Sequence, residues 1–435
     1  MSSNFLSMLE EWDEKIIKLA EGHGLDWYPI LYETCDYYEM IGNMAYHGMP
    51  THYRHWSFGK SFERTHAMYN AGLEGLPYEL IINSNPSIAY LMEENPFYLQ
   101  VLIMCHCVGH SDFFKNNITF ANTHADNVLL RMRNAKRFVD GLIEDPSIGV
   151  KKVENILDAA HALSLQIPRR YRMYDSQKNQ KKALILDIKQ GKYEDDFPPD
   201  PRAIPVSPEP NILAFLAECS PVLDDWEREL LYFALEDAEY FMPQIRTKIM
   251  NEGWASYWHF RMMHELELPD SMHLPFLKMH NEVVRPHLGS INPYHLGFHL
   301  FRKIEERHGL EECFIARESL NDESFIRQYL TEEDCVDLNL FSFGLDKKEF
   351  VIEDVSDNEG WKSVKQNLIK QVSANNIPSI VVEGVDEANI LTLRHEHDGR
   401  DLELEYAESV VEHITTLWGD VVRLETIIED EPFEI

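Results

Sequence analysis

Residues 95 to 114 constrain this chain more than any other stretch. Asn95-Pro96 reads as a helix start, with Asn as the cap and Pro in the first helical position. From Leu99 to Val108 the sequence is apolar nearly all round, and a helix without a polar face has to be buried. Inside it lies His106-Cys107-Val108-Gly109-His110. Four residues advance close to one full turn, so the two imidazoles point the same way. Buried imidazoles without partners are costly, so this helix must carry its histidines to something that satisfies them. Gly109 permits another helix, or backbone, to approach the pair closely.

A partner is offered by Asn251-Glu252-Gly253-Trp254-Ala255. On a helix Glu252, Ser256 and His259 share one face, among Trp254, Tyr257, Trp258 and Phe260. Glu252 would be a third ligand beside His106 and His110, leaving a coordination position open. Spacing alone is weak evidence, because 20 histidines in 435 positions give about one H-x-x-x-H pair by chance. A second pair, His295/His299, sits beside Lys303, Glu305, Glu306 and Arg307, where solvent would satisfy it, and reads as structural. For the first pair two readings stay open on residues alone: a metal site, or a hydrogen-bonded polar cluster inside an aromatic core.

The two segments resemble the two halves of a zincin metallopeptidase site, H-E-x-x-H plus a downstream Glu in an E-G-W-A-like context. One departure is serious. Cys107 stands where the water-activating glutamate belongs, and a thiol cannot replace a carboxylate base without a shifted pKa. His259 and Asp112 are the candidates to take over the proton, with Glu236 and Glu239 behind them. His259, two helical turns from Glu252, is the expected shuttle.

Composition narrows the remaining classes. Asp and Glu number 74 against 40 Lys and Arg, a net charge of −34, a field that repels polyanionic nucleic acid. The densest basic stretch, Arg169 to Lys182, reads as a solvated helix edge. Met1 to Lys15 carries Glu10, Glu11, Asp13 and Glu14 and no apolar segment, so it does not read as a signal peptide. No apolar run approaches a membrane span. Six scattered cysteines suit reduced thiols in a cytoplasmic protein.

The pattern along the chain is mainly α. Residues 1–340 read as a large helical domain, with helical spacing in Leu6–Ala20, Tyr28–Met49 and Pro96–Phe114 and a loop over Leu73–Pro86. Within it, 191–210 holds six prolines and reads as an extended connector. Helices follow over Trp226–Phe241, Gln244–Leu266 after a break at Pro243, and Pro293–His308. Residues 345–435 read as a small α+β domain. Its expected strands are 350–355, 379–383, 390–395, 402–405 and 421–428, with helices over 358–374 and 406–418 and a hairpin turn at His397-Asp398-Gly399-Arg400.

A closer resemblance covers most of the chain. Met49-Pro50-Thr51-His52-Tyr53-Arg54-His55-Trp56-Ser57-Phe58-Gly59-Lys60, His110 to Asn117, Met250 to Ala255, Ile291 to Phe298 and Asp322 to Ile326 with Gln328 to Leu330 look like the SpoVR family, the stage V sporulation protein R family. Cys107 and Val108 depart from the Val and Tyr expected there; neither is a proposed ligand. The resemblance implies a bacterial, cytosolic protein linked to the spore cortex or to stress. It also implies genetic association with a PrkA-type serine kinase and a von Willebrand A-like domain protein. The expectation is a metal-dependent hydrolase of an amide in peptidoglycan metabolism, holding zinc (or iron or manganese) on His106, His110 and Glu252. A non-catalytic scaffold for the kinase is the alternative. His52, His55 and Lys60 are expected to deliver cationic donors to a cleft, and Asn117 to bind substrate or cap its helix.

Overall fold

The computed structural model describes residues 3–70, 80–169, 174–190, 192, 200–287, 290–346, 349–355, 357 and 360–435, with backbone only for 3–4, 342–346 and 349–355. Parts of four expectations lie outside these residues: 73–79 of the loop, 191 and 193–199 of the proline-rich connector, Arg170 and Arg172 of the basic stretch, and 358–359 of one helix. The fold is mainly helical with a small C-terminal sheet. Among the described residues no helix is long and apolar enough to cross a membrane.

Two compact units divide the chain, one of Met1–Lys136 with Pro243–Asn376 and one of Arg137–Met242 with Ile377–Ile435. The first is organised around Phe97–Asn116, the histidine helix. Every residue from Leu99 to Phe114 in it is buried, as its all-round apolar sequence requires. Pro96 occupies the cap position itself, with extended backbone and no side-chain cap bond, so Asn95 is not the cap. Against this helix packs Lys248–Glu265, the glutamate helix, and against that packs Pro293–His308. Asn292 caps the last of these, accepting from Tyr294 N, with Pro293 at its start.

The spacing of these three helices is set by missing side chains. A Cβ on Gly109 would lie 2.7 Å from Ala255 Cα. One on Gly253 would lie 2.4 Å from the Gly297 backbone, and one on Gly297 2.1 Å from Ile249 O. Glycine is therefore needed for contact, not for a turn, and the helices meet backbone to backbone.

Several expected elements shift. Tyr28–Met49 is not one helix: Ile30–Cys35 is a strand paired in parallel with the buried central strand Ser87–Met92, which also pairs antiparallel with Leu80–Ile82. The helix begins only at Tyr37, where Asp36 and Glu39 form a capping box. The helix Asp225–Arg246 runs through Pro243, and the break comes at Thr247, whose hydroxyl donates to Pro243 O at 2.7 Å.

In the second unit, strands Ile380–Val385, Leu391–His395, Val422–Ile428 and Glu431–Glu434 form one sheet. No hairpin forms at 397–400, and 402–405 is not a strand. Glu403 instead caps the helix Leu404–Trp418, and Leu391–His395 pairs in parallel with Val422–Ile428 across it. A parallel pair needs such a crossover, so local turn chemistry loses to sheet topology. In the same unit, Lys178 and Lys182 are exposed on the helix Gln177–Lys189.

Gly253→Ala and Gly297→Ala are each expected to lower unfolding free energy by about 1–3 kcal/mol or more, because backbone cannot yield to the new methyl group. Gly42→Ala is the control: an added Cβ there meets nothing within 4 Å, inside the helix Tyr37–Ala45, and should raise stability by about 0.5–1 kcal/mol. Urea unfolding of the three variants checks this; indistinguishable midpoints would refute it.

Candidate metal centre

The close crossing of the histidine and glutamate helices brings short side chains together. His106 Nε2 and His110 Nε2 lie 3.8 and 3.5 Å from Glu252 Oε2. His106, His110 and Glu252 form the one group of three or more His, Cys, Asp or Glu among the described residues whose ligand atoms all lie within 4.8 Å of one another. The expected convergence across 142 positions of sequence is thus present in the fold.

Chemistry decides what this trio suits. His110 Nδ1 is 2.9 Å from Asn251 Oδ1. An amide oxygen can only accept, so that ring nitrogen carries a proton, which leaves Nε2 as the ring atom that can offer a lone pair to a cation. Glu252 Oε2 is itself buried with no hydrogen-bond partner. Separations of 3.5 and 3.8 Å are too long for good hydrogen bonds. A tetrahedral ion with ligand bonds of about 2.0–2.1 Å spaces its donor atoms about 3.4 Å apart. The donor set of two nitrogens and one oxygen therefore fits a cation. Burial pushes the Glu252 carboxyl up, but His106 and His110, as protonated partners in the absence of an ion, outweigh it and hold it well below the usual carboxylate range.

Behind His106 runs a second line of imidazoles. Its Nδ1 is 2.8 Å from His259 Nδ1, and His259 Nε2 is 2.7 Å from His280 Nδ1. His106, His259 and His280 are 1%, 0% and 2% exposed. Burial, then the neighbouring histidines, holds His259 well below its ordinary range; burial, then His264, pulls His280 down to about 4. The Tyr294 ring stacks on His106 at 6.1 Å.

The other expected site residues have different duties. Asp112 is fully buried on the far side of its helix. It accepts from Asp26 N and from Trp254 Nε1, both at 2.8 Å, with Arg317 Nε 3.5 Å away. Oδ2 thus fastens the histidine helix to the glutamate helix and Oδ1 fastens it to the backbone at Asp26, so the structure engages Asp112 away from the trio. Asn117 ends the histidine helix: its Nδ2 donates to Arg317 O and Leu320 O and its Oδ1 accepts from Thr119 N, the capping alternative. His52 and His55 are buried beside Phe58, with His52 also against Tyr46 and Tyr53 and His55 Nδ1 2.7 Å from Ser57 Oγ. Lys60 lies over the Trp56 ring at 5.4 Å. None of these three belongs to the trio. Glu236 and Glu239 lie on Asp225–Arg246, in the second unit. His299 is paired with buried Asp334 at 3.1 Å, so a carboxylate rather than solvent satisfies it.

Sequence reasoning assigned no role to Asn251, His280, Tyr294 or Asp322. Asn251 had a signal, since it adjoins Glu252 and lies only about 100° around the helix from it. His280 had none, being a lone histidine 21 residues beyond His259 on another helix, Asp270–Val283. Asp322 accepts from Ile249 N and Met250 N, both at 2.9 Å, and so caps the glutamate helix from a distant segment. Burial pushes its carboxyl up to about 7 against those two bonds, with Glu252 adding to the rise.

The comparisons with known proteins agree with the architecture. The chain belongs to the SpoVR family: the family described as SpoVR like protein matches residues 4–377, and the SpoVR-like C-terminal domain matches 378–429. It is 32% identical to the "Uncharacterized protein YcgB" of Escherichia coli (strain K12), over 98% of this chain and 93% of the relative. No solved structure matches.

Asp322 and Asp112, the latter raised to about 6 by burial, give an inverted pH dependence. Between the unfolded value near 3.8 and these raised values the folded state binds more protons than the unfolded one. Their contribution to stability is fully present below pH 4 and is lost as pH rises toward 7, by up to about 1.4 kcal/mol per pH unit for each group. Urea unfolding of wild type and Asp322→Asn between pH 4.5 and 7.5 checks the sign. The variant is expected to be less stable throughout, because an amide oxygen replaces only one of two acceptors, and to show a flatter loss with pH. Parallel curves would contradict the assignment.

Proposed function

We propose that this SpoVR-family protein is a metal-dependent hydrolase whose ion, zinc in the simplest case, is held by His106, His110 and Glu252. The observation that carries the reading is Glu252 Oε2: a buried carboxylate oxygen without a hydrogen-bond donor, facing two ring nitrogens at metal-ligand spacing. Iron and manganese accept the same donors, and two histidines with one carboxylate also suit an oxygen-using iron site, so metal analysis selects among them. Three protein ligands leave a position for water or substrate.

Bound zinc supplies a water that ionises near neutral pH and a Lewis acid for an amide carbonyl. Asn251 holds the His110 lone pair in place. His259 acts through His106, since its two ring nitrogens are directed to His106 and His280. Cys107, fully buried, occupies the position of the usual glutamate base. The substrate class, an amide of peptidoglycan or the spore cortex, and a cytoplasmic location come from the family resemblance.

One observation favours the second reading, a scaffold acting with a PrkA-type kinase and a von Willebrand A-like protein. Among the described residues, Glu252 is the one carboxylate in the metal-ligand group, and Cys107 stands where the usual glutamate base belongs. In that case the ion braces two helices.

Purified protein is expected to hold about one zinc per chain, and His110→Ala or Glu252→Gln to reduce that to near zero. Free zinc at about 100 times its dissociation constant should stabilise the fold by about 2.7 kcal/mol, an increment a chelator removes. Near-zero metal in wild type, unchanged in both variants, defeats the proposal. Full metal loading, with cellular function intact in His110→Ala but lost on deleting 345–435, favours the scaffold.

A further inference from the structure

Each of the two contacts in the line His106–His259–His280 joins two ring nitrogens, at 2.8 and 2.7 Å. Such a contact holds one proton. Two protons would collide, and none would set lone pair against lone pair. The chain of three neutral rings therefore has just two arrangements, and each fixes all three rings at once.

In the first arrangement, His106 Nδ1–H donates to His259 Nδ1, and His259 Nε2–H donates to His280 Nδ1. His106 Nε2 is then bare and directed at Glu252. In the second arrangement every bond reverses. His280 Nδ1–H donates to His259 Nε2, His259 Nδ1–H donates to His106 Nδ1, and His106 Nε2 carries a proton. A protonated Nε2 cannot bind a cation. The outer ring thus decides whether the inner ring can be a ligand, although the two do not touch.

We propose that His280 is a positioning residue for the metal centre: by accepting from His259 Nε2–H it selects the tautomer of His106 that binds a cation. The inference rests on the metal-centre reading above and adds a residue from a third helix, Asp270–Val283. The surroundings suit a fixed role. His259 is 0% exposed, so its Nε2–H has no water to turn to if the acceptor is removed. The His280 ring is clamped between Phe260 and Phe298, with centroids 4.5 and 4.9 Å away. His110 is fixed separately by Asn251 Oδ1, so the two imidazole ligands are oriented by independent partners.

The test compares His280→Phe, which fills the space without an acceptor, with His280→Asn, whose amide oxygen can stand near the position of Nδ1. Zinc affinity is read by chelator competition on full-length protein, and folding is checked by thermal melting. His280→Phe is expected to weaken zinc binding by about 10–100-fold, in the range of lost outer partners of metal-bound histidine. His280→Asn is expected to recover most of that loss. A second measurement needs no variant: nitrogen-15 spectra of zinc-loaded wild type should show His106 protonated at Nδ1 and His259 at Nε2. A folded His280→Phe protein with undiminished zinc affinity overturns the inference while leaving the metal centre standing, as does a His259 proton on Nδ1 in the loaded protein. Wild type that takes up no zinc overturns the metal centre itself, and this inference with it.

Discussion

Backbone contact between three helices is the constraint on which this structure depends. Gly109 against Ala255, and Gly253 against Gly297, let the histidine helix, the glutamate helix and Pro293–His308 approach more closely than even a methyl group on any of these glycines would allow. Histidine and glutamate side chains are short. Only at this separation can His106 and His110 on one helix share a point in space with Glu252 on the next. The glycines of H-C-V-G-H and E-G-W-A are thus part of the same device as the ligands beside them.

Around that crossing, buried polar groups fix what apolar packing leaves free. Trp254, Trp258, Phe301 and Phe325 fill the core but could slide or rotate relative to one another. Asp112 removes that freedom by joining Trp254 to the backbone at Asp26, and Asp322 does the same at the start of the glutamate helix. Each is expensive to bury and strongly directional, which makes it a register pin rather than a source of net stability. The ligand trio has a different character. Its members bring two ring nitrogens and a carboxylate oxygen to one point, a donor set that suits a cation.

The helices were legible where one physical signal dominated. Pro293–His308 matches its expected bounds because cap, first-turn proline and terminal glycine all agree. The histidine helix was equally clear. Reading failed where a long-range partner decided the outcome. Tyr28–Met49 has helical spacing, yet Ile30–Cys35 is drawn into a strand by Ser87–Met92, more than fifty residues away. The turn signal at 397–400 is real chemistry, but the next strand in the sheet comes from beyond a helix. Within the site, His106, His110 and Glu252 could be singled out by spacing and composition, whereas Asp112 and Asn117 had to be placed in three dimensions before their oxygens and amides were seen to be engaged in holding helices together.

By itself the sequence determined the buried character of the histidine helix, the shared direction of its two imidazoles and the glycine-flanked carboxylate on a second helix. These follow from periodicity and side-chain chemistry, which are local. Only the tertiary structure decided that the three groups converge, that Asn251 and the His259–His280 pair orient them, and that Asp112 meets Asp26 and Trp254. Those outcomes depend on how far apart and at what rotation two helices pack, and on partners separated by up to 153 positions. Helical periodicity gives the face a side chain occupies; it does not give the neighbour that face will meet.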